Sequence, residues 1–162
     1  MLTLLLVRHA KSLHESYINK DSERHLAPRG YEDASTSAVW CKQEGILPSL
    51  MVSSHAIRAY STALIFANNL GYHVNEIVLK ASIYNADVEK LMSVINEFDD
   101  RYKSIMMFGH NPGFTDLLNT LCGSTISDLP TSSVAMLKIP VVSWSKINHR
   151  SAKLEILHTN EK

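Results

Sequence analysis

An arginine and a histidine, Arg8 and His9, directly follow the apolar run Leu2–Val7. The run has strand length and no polar alternation, which predicts a strand buried on both faces of a sheet. Open α/β sheets bind ligands beyond the carboxyl ends of such strands. Neutral imidazole is a nucleophile, and guanidinium carries permanently charged donors shaped for phosphate oxygens. The pair is therefore a candidate phosphoryl-transfer site; the alternative is that Arg8 only caps the strand and His9 is a polar loop residue.

Two further segments place a cation or an imidazole in a comparable position. Arg58 is expected in the first turn of the helix after the short strand Leu50–Ser53, where the helix dipole disfavours a cation. A cation there suggests a nearby anion, and an exposed surface arginine is the alternative. His110 follows the apolar strand Ser104–Phe108, and the amides of the helix start after it can receive an anion. Its alternative role is capping or packing.

Other polar residues near these strand ends are secondary candidates. The charged stretch His14–His25 lacks periodicity and is predicted to be a loop that either faces a substrate or is simply solvated. The hydroxyls of Thr131–Ser133 could bind a ligand or water equally well. Candidate substrate contacts beyond the main four residues are Ser12, Arg24, Arg29 and Asn111. Asp87 and Glu89 are candidate acids, although carboxylates are also favoured at a helix start.

Strand and helix signals alternate along the chain. They predict an α/β fold: a three-layer sandwich whose mostly parallel sheet carries helices on both faces and ends in an antiparallel edge. A helix is expected from Pro28 to a stop at Gly45. The remaining expected elements are a helix through Ala59–Leu70, an extended segment Val74–Ile83, a helix through Val88–Phe98, a helix through Leu117–Leu121, and strands Val134–Ile139 and Leu154–Leu157.

Composition bounds the class of protein. A chain of 162 residues has one-domain length, and its 16 basic residues balance 16 acidic ones. This balance gives no global field for nucleic acid or an anionic membrane, so neither partner is expected. The first apolar run is too short for a signal-peptide core or a membrane span, which predicts a cytoplasmic protein. Cys41 and Cys122 lie far apart, so structural zinc is not expected.

Three motifs occur in order: Leu6–Ser12 (LVRHAKS), Ser53–Ala63 (SSHAIRAYSTA) and Gly109–Gly113 (GHNPG). Together they resemble the signatures of the histidine phosphatase superfamily. The segment Leu26–Gly30 (LAPRG) and the motif spacing resemble its small SixA-type branch of phosphohistidine phosphatases across nearly the whole chain.

The resemblance implies a phosphoglycerate mutase-like fold and one histidine phosphatase domain spanning residues 1–162. It implies that His9 is the phosphorylated nucleophile and that Arg8, Arg58 and His110 form the phosphate pocket. It further implies that the reaction needs no metal or cofactor. The expected partner is a phosphohistidine-bearing carrier protein, or else a small phosphate ester.

The chain departs from the larger mutases and many esterases of the superfamily. Glu15 stands where they carry an asparagine, and Ala10 replaces the commoner glycine. Where they place a glutamate acid, this chain reads Ser82–Asn85, and no carboxylate occurs before Asp87. Imidazole leaves phosphorus more readily than an alkoxide, so phosphohistidine places a lower demand on the missing acid. A phosphatase of small esters and a non-catalytic phosphate-binding module are the alternatives.

Overall fold

The computed structural model describes residues 1–14 and 20–161. The strands are β1 (Leu2–Arg8), β2 (Leu50–Ser53), β3 (Val78–Leu79), β4 (Ser104–Gly109), β5 (Val134–Ile139) and β6 (Lys153–His158). The helices are α1 (Pro28–Gln43), α2 (Ile57–Leu70), α3 (Val88–Asn96) and α4 (Gly113–Cys122). The strands form one sheet in the order β3-β2-β4-β1-β5-β6, in which β1, β2, β3 and β4 pair in parallel. Strand β5 pairs antiparallel with both β1 and β6, as predicted for the last strands.

The sheet is the middle layer of three. Leu4 and Leu6 of β1 face the core that α3 and α4 cover, whereas Leu5 and Val7 face the core that α1 and α2 cover. Side chains alternate between the two faces of a strand, so a strand covered on both sides needs apolar residues at every position. The opening run therefore carries no polar alternation.

The register of the parallel strands brings the three sequence motifs together. Arg8 at the end of β1 pairs with Gly109 at the end of β4, and Ser53 at the end of β2 pairs with Phe108. Because these strands run in the same direction, the residues that follow them emerge on the same side of the sheet, at the carboxyl ends of the strands. His9, Ser54 and His110 are those residues.

Some local expectations need correction. The segment Val74–Ile83 is not one extended strand: β3 has two residues, flanked by 3-10 turns at Val74–Glu76 and Ala81–Ile83. Its expected apolar centre is largely on the surface, since Leu79 is 48% exposed. As the outermost strand of the described sheet, β3 has β2 as its one strand neighbour, and within this stretch Val74 and Ile77 pack against the core on the side of α1 and α2. Ser53 and Ser54 are candidate caps by their position before α2, but the helix begins after Ala56 and no side chain among the described residues caps it.

The loop predicted at His14–His25 lies partly outside the described residues. Residues 15–19, including Glu15, belong to that part. In the part that is described, Asp21–Glu23 forms a 3-10 turn with no buried residue. This turn packs near the start of α2, where it contacts the site described next.

Candidate active site

A cleft of about 250 Å³ lies at the carboxyl ends of β1 and β4. It collects residues that are far apart in sequence, and every described residue that lines it is basic or uncharged. They are Arg8, His9, Lys11, Ser12, His14, Arg24, Arg58, Asn85, His110, Asn111 and Thr131. Such a lining favours an anionic ligand with several oxygen acceptors.

His9 is held by both of its ring nitrogens. Its side chain is 7% exposed, and Nδ1 lies 2.7 Å from the Ala10 carbonyl oxygen. A carbonyl can only accept, so Nδ1 carries the proton and Nε2 keeps its lone pair. Burial lowers the pKa of His9 to about 4, against the carbonyl contact that raises it, and the nearby Arg58 and Arg8 lower it further. His9 is therefore a neutral imidazole with an unprotonated Nε2 at pH 7.

Arg58 occupies the first turn of α2 and is 4% exposed. Its Nε donates to Nε2 of His9 at 3.3 Å, and its two terminal nitrogens donate to the backbone and the carboxylate of Asp21 at 2.8 and 2.9 Å. The hydroxyl of Tyr84 donates to the same carboxylate at 2.6 Å. This bond, with Arg58 and Arg24 adding to it, lowers the pKa of Asp21 to about 2. The ionised Asp21 thus fixes the guanidinium against His9.

Arg8 reaches across the cleft to the loop before β5. Its terminal nitrogen donates to the Leu129 carbonyl at 2.6 Å and to the Asp128 carboxylate at 3.3 Å. The amide of Asn111 donates to the same two residues, and its oxygen accepts from Thr115. Asn111 therefore lines the cleft while its amide braces the loop that receives Arg8.

His110 lies beside His9, with 5.2 Å between the ring centroids. It is 7% exposed, and its Nε2 lies 2.8 Å from the hydroxyl of Ser54. Burial lowers the pKa of His110 to about 3, helped by His9 and Arg58. Two neutral imidazoles and two arginines consequently meet at the same point of the sheet edge.

Thr62 joins the start of α2 to the backbone that holds His9. Its fully buried hydroxyl donates to the Arg58 carbonyl at 2.7 Å and accepts the Ala10 N–H at 3.0 Å. The carbonyl of that same Ala10 accepts from His9. Thr62 therefore links the position of Arg58 to the orientation of the imidazole.

The secondary candidates divide into two groups. Ser12 and Arg24 line the cleft, as does Asn111, and Arg24 also donates to Asp21 and to the Leu13 carbonyl. Arg29 lies in a neighbouring open groove, where it is paired with Asp33 at 2.9 Å.

Both candidate acids lie at the start of α3 and outside the set that lines the cleft. Asp87 accepts the Lys90 N–H at 2.9 Å as the helix cap, and it borders an adjoining depression with His110 and Asn111. Glu89 is exposed in the first helical turn. Their local geometry is that of helix-start carboxylates.

Sequence reasoning did not single out Asp21, Tyr84, Ser54 or Thr62 as functional residues. Asp21 and Tyr84 are 63 residues apart, and no local pattern predicts their contact. Ser54 and Thr62 do fall inside the second motif, and their positions near Arg58 were the available signal. A buried hydroxyl at a strand end or on the inner face of a helix needs a partner, which directs attention to them.

Within residues 1–14 and 20–161, no three His, Cys, Asp or Glu side chains are arranged to hold a metal ion. No helix in that part of the chain is long and apolar enough to cross a membrane.

Fold and site together define a class. Residues 4–87 match the family model of the histidine phosphatase superfamily (branch 1), and the chain belongs to this superfamily. The match contains the first two motifs, with Arg8, His9 and Arg58.

The chain is similar to several known proteins and solved structures. An uncharacterised chloroplastic protein of Arabidopsis thaliana is 28% identical over 151 residues, covering 88% of this chain and 69% of its own. A crystal structure from Agrobacterium tumefaciens, of a protein proposed to be the phosphohistidine phosphatase SixA, is 25% identical with a TM-score of 0.84. It covers 98% of this chain and 97% of its own. The protein histidine phosphatase SixA complexed with tungstate superposes with a TM-score of 0.82 at 18% identity, covering 96% of each chain. These structures share the α/β phosphoglycerate mutase-like fold.

Proposed function

We propose that this protein is a metal-independent phosphohistidine phosphatase in which His9 is the nucleophile. The observation that carries the proposal is the pair of contacts on one ring: Nδ1 donates to the Ala10 carbonyl while Nε2 faces the guanidinium of Arg58. A nucleophile needs an unprotonated lone pair, which here accepts from Nε of Arg58 until a substrate takes that place, and a phosphoryl group needs cationic donors next to it. Both requirements meet at Nε2.

The reaction has two steps. Nε2 of His9 attacks phosphorus in line, the substrate's P–N bond breaks, and the departing imidazole keeps the bond's electron pair and takes a proton from water. Water then attacks phosphorus on His9, the P–Nε2 bond breaks with its electron pair returning to Nε2, the attacking water gives up a proton that neutralises the hydroxide left by the first step, and inorganic phosphate leaves. The Ala10 carbonyl keeps Nδ1 protonated throughout, so the phosphorylated ring is a cation and a good leaving group. Arg8 and Arg58 balance the charge on the phosphoryl oxygens, and the uncharged His110 lies beside them in the cleft.

The substrate class is inferred from the chemistry of the cleft lining. Among the described lining residues there is no carboxylate that could protonate an alkoxide leaving group. Asp21, which contacts Arg58, has a pKa near 2 and is ionised. Phosphohistidine makes the smallest demand on a general acid, because solvent can protonate the departing nitrogen and the group then leaves as a stable neutral imidazole. The likeness to SixA structures points to the same substrate.

A phosphatase of small phosphate esters is the second candidate. A mycobacterial glucosyl-3-phosphoglycerate phosphatase shares the fold, with a TM-score of 0.75 at 14% identity. In that case Asp87 would have to leave its capping position to serve as the acid. A non-catalytic phosphate-binding module would need the arginines only, and the intact His9 site favours an enzyme over it. We further propose that residues 1–162 act as one catalytic domain.

The test is phosphate release from a phosphohistidine-bearing carrier protein, measured in the presence of a metal chelator beside a panel of small phosphate esters. The proposal predicts rapid release from the carrier by the wild type and none by His9→Ala. His149→Ala is the matched control, because His149 is an exposed histidine in a turn away from the cleft.

Each other outcome rejects a stated part of the proposal. Preference for an ester over the carrier would transfer the function to the second candidate. Loss of release on chelation would reject metal independence. Phosphate binding without release from any substrate would identify a binding module.

A further inference from the structure

The hydroxyl of Ser54 has a specific relation to His110. Ser54 follows β2 and is fully buried, and its Oγ already accepts the Ala56 N–H at 3.2 Å. The same Oγ lies 2.8 Å from Nε2 of His110. A hydroxyl has one proton to donate, and Nε2 is the acceptor that stands within reach of it.

The other nitrogen of the same ring is unpaired. His110 is 7% exposed, and its Nδ1 is buried without a hydrogen-bond partner among the described residues. Leaving a buried polar atom unpaired is costly, so such an atom calls for a specific explanation. His110 lines the cleft 5.2 Å from His9, so a group transferred to His9 would lie next to this ring.

The two observations together favour one of the two neutral tautomers of His110. If the Ser54 hydroxyl donates to Nε2, the neutral ring carries its proton on Nδ1. The hydroxyl then donates one hydrogen bond to His110 and accepts one from the Ala56 N–H. The opposite tautomer would leave the Ser54 proton unused and would leave the buried Nδ1 with a lone pair that has no partner in the described part of the chain.

We propose that Ser54 is a positioning residue that fixes His110 as the Nδ1–H tautomer, so that an uncharged imidazole donates a hydrogen bond to the phosphoryl group. This inference rests on the proposed function, since it assigns the partner of Nδ1 to a phosphoryl oxygen. The low pKa of His110 agrees with an uncharged donor. Because His110 is uncharged, the cationic contacts with the phosphoryl group come from Arg8 and Arg58.

The test reads the protonation of each ring nitrogen by NMR with ¹⁵N-labelled histidine at pH 7, before and after addition of orthovanadate as a phosphate-like probe. We expect His110 to carry its proton on Nδ1 and that proton resonance to shift when vanadate binds. In Ser54→Ala we expect the opposite tautomer or a mixture, with turnover lowered about 10- to 100-fold, the loss expected when a preorganised donor is misplaced.

Two further variants separate the hydroxyl of Ser54 from general packing. Ser53→Ala is the matched control, because Ser53 is equally buried but its hydroxyl donates to the Ser54 carbonyl rather than to His110. It should keep the tautomer and stay within about twofold of wild-type turnover, a range set by the small effect of a neutral hydrogen bond outside the site. Ser54→Thr retains a hydroxyl and should restore the Nδ1–H tautomer.

The outcomes separate this inference from the proposed function. A proton on Nε2 of wild-type His110, an unmoved Nδ1 proton in the vanadate complex, or an unchanged tautomer in Ser54→Ala would each overturn the role of Ser54. If Ser54→Ala does not fold, the wild-type and Ser54→Thr spectra decide. A vanadate-responsive Nδ1–H in a protein that releases no phosphate would instead reject the phosphatase proposal and leave the hydrogen-bond assignment intact.

Discussion

The buried imidazole of His9 makes the stability of the folded protein depend on pH. Its pKa falls from an ordinary value of 6.5 to about 4 in the fold, mainly because burial disfavours the cation. Between these two values the unfolded chain binds more protons at this site than the folded chain does. The contribution of neutral, buried His9 to the free energy of unfolding is therefore fully present above pH 6.5 and is lost as the pH falls toward 4.

The size of the effect follows from the two pKa values. Lowering the pH from 7 to 5 protonates His9 in the unfolded chain but hardly in the folded one, which costs about 2 kcal/mol of unfolding free energy. His110 has a pKa of about 3 and remains neutral in the fold over this range. The contribution of His110 to the pH dependence of the unfolding free energy is therefore the same in the wild type and in a His9 variant.

The assay is urea denaturation of the wild type and His9→Asn at pH 7 and pH 5. The reasoning predicts that the drop in unfolding free energy between these pH values is about 2 kcal/mol smaller in the variant, because asparagine does not titrate. An equal drop in the two proteins would refute it and would mean that folded His9 titrates near its ordinary pKa.

Three substitutions test how the cleft is built. Arg58→Ala should lower turnover about 10²- to 10³-fold, as does removing one preorganised donor to a developing anion. Asp21→Asn should lower it about tenfold by weakening the charge-assisted contact that fixes Arg58. Thr62→Val should also cost about tenfold, because the Ala10 peptide loses the hydroxyl that anchors it. Steady-state phosphate release measures all three.

Control variants accompany two of these substitutions, and the third has a contradicting outcome. Arg101→Ala is the control for Arg58→Ala: it removes an exposed arginine remote from the cleft and should leave turnover unchanged. If Arg58→Ala lowers turnover less than threefold, Arg58 is excluded from the mechanism. Thr62→Ser keeps the hydroxyl and should recover most of the activity. If it is as impaired as Thr62→Val, the hydroxyl alone does not account for the loss, and the packing of the Thr62 methyl group also contributes. Wild-type turnover in Asp21→Asn would show that Arg58 needs no anionic support.

The main elements of the site could be predicted because local signals determine them. Apolar runs mark β1 and β4 as buried strands, and parallel pairing then brings their carboxyl ends, with His9 and His110, to the same edge. Pro28 at the start of α1 and Gly71 at the end of α2 mark helix ends by the backbone angles they favour. None of these inferences needs a long-range contact beyond sheet pairing.

The supporting contacts could not be predicted, since they depend on how separate loops pack. The carboxylate of Asp21 meets Arg58 and Tyr84 only after the turn at 21–23 folds over the start of α2. The prediction of a longer extended segment around Leu79 is wrong for a similar reason. The composition of the segment favours a strand, but its place in the outermost strand of the described sheet leaves Leu79 exposed.

The central claim is that the phosphoryl group passes through Nε2 of His9. The most direct measurement is rapid quench of the wild type with a phosphohistidine-bearing carrier, followed by ³¹P NMR and peptide mapping under alkaline conditions that preserve phosphohistidine. The account predicts transient phosphate on the His9 peptide, attached at Nε2, at a level that rises and decays within one turnover. Turnover without phosphate on His9, or phosphate attached at Nδ1, would contradict it.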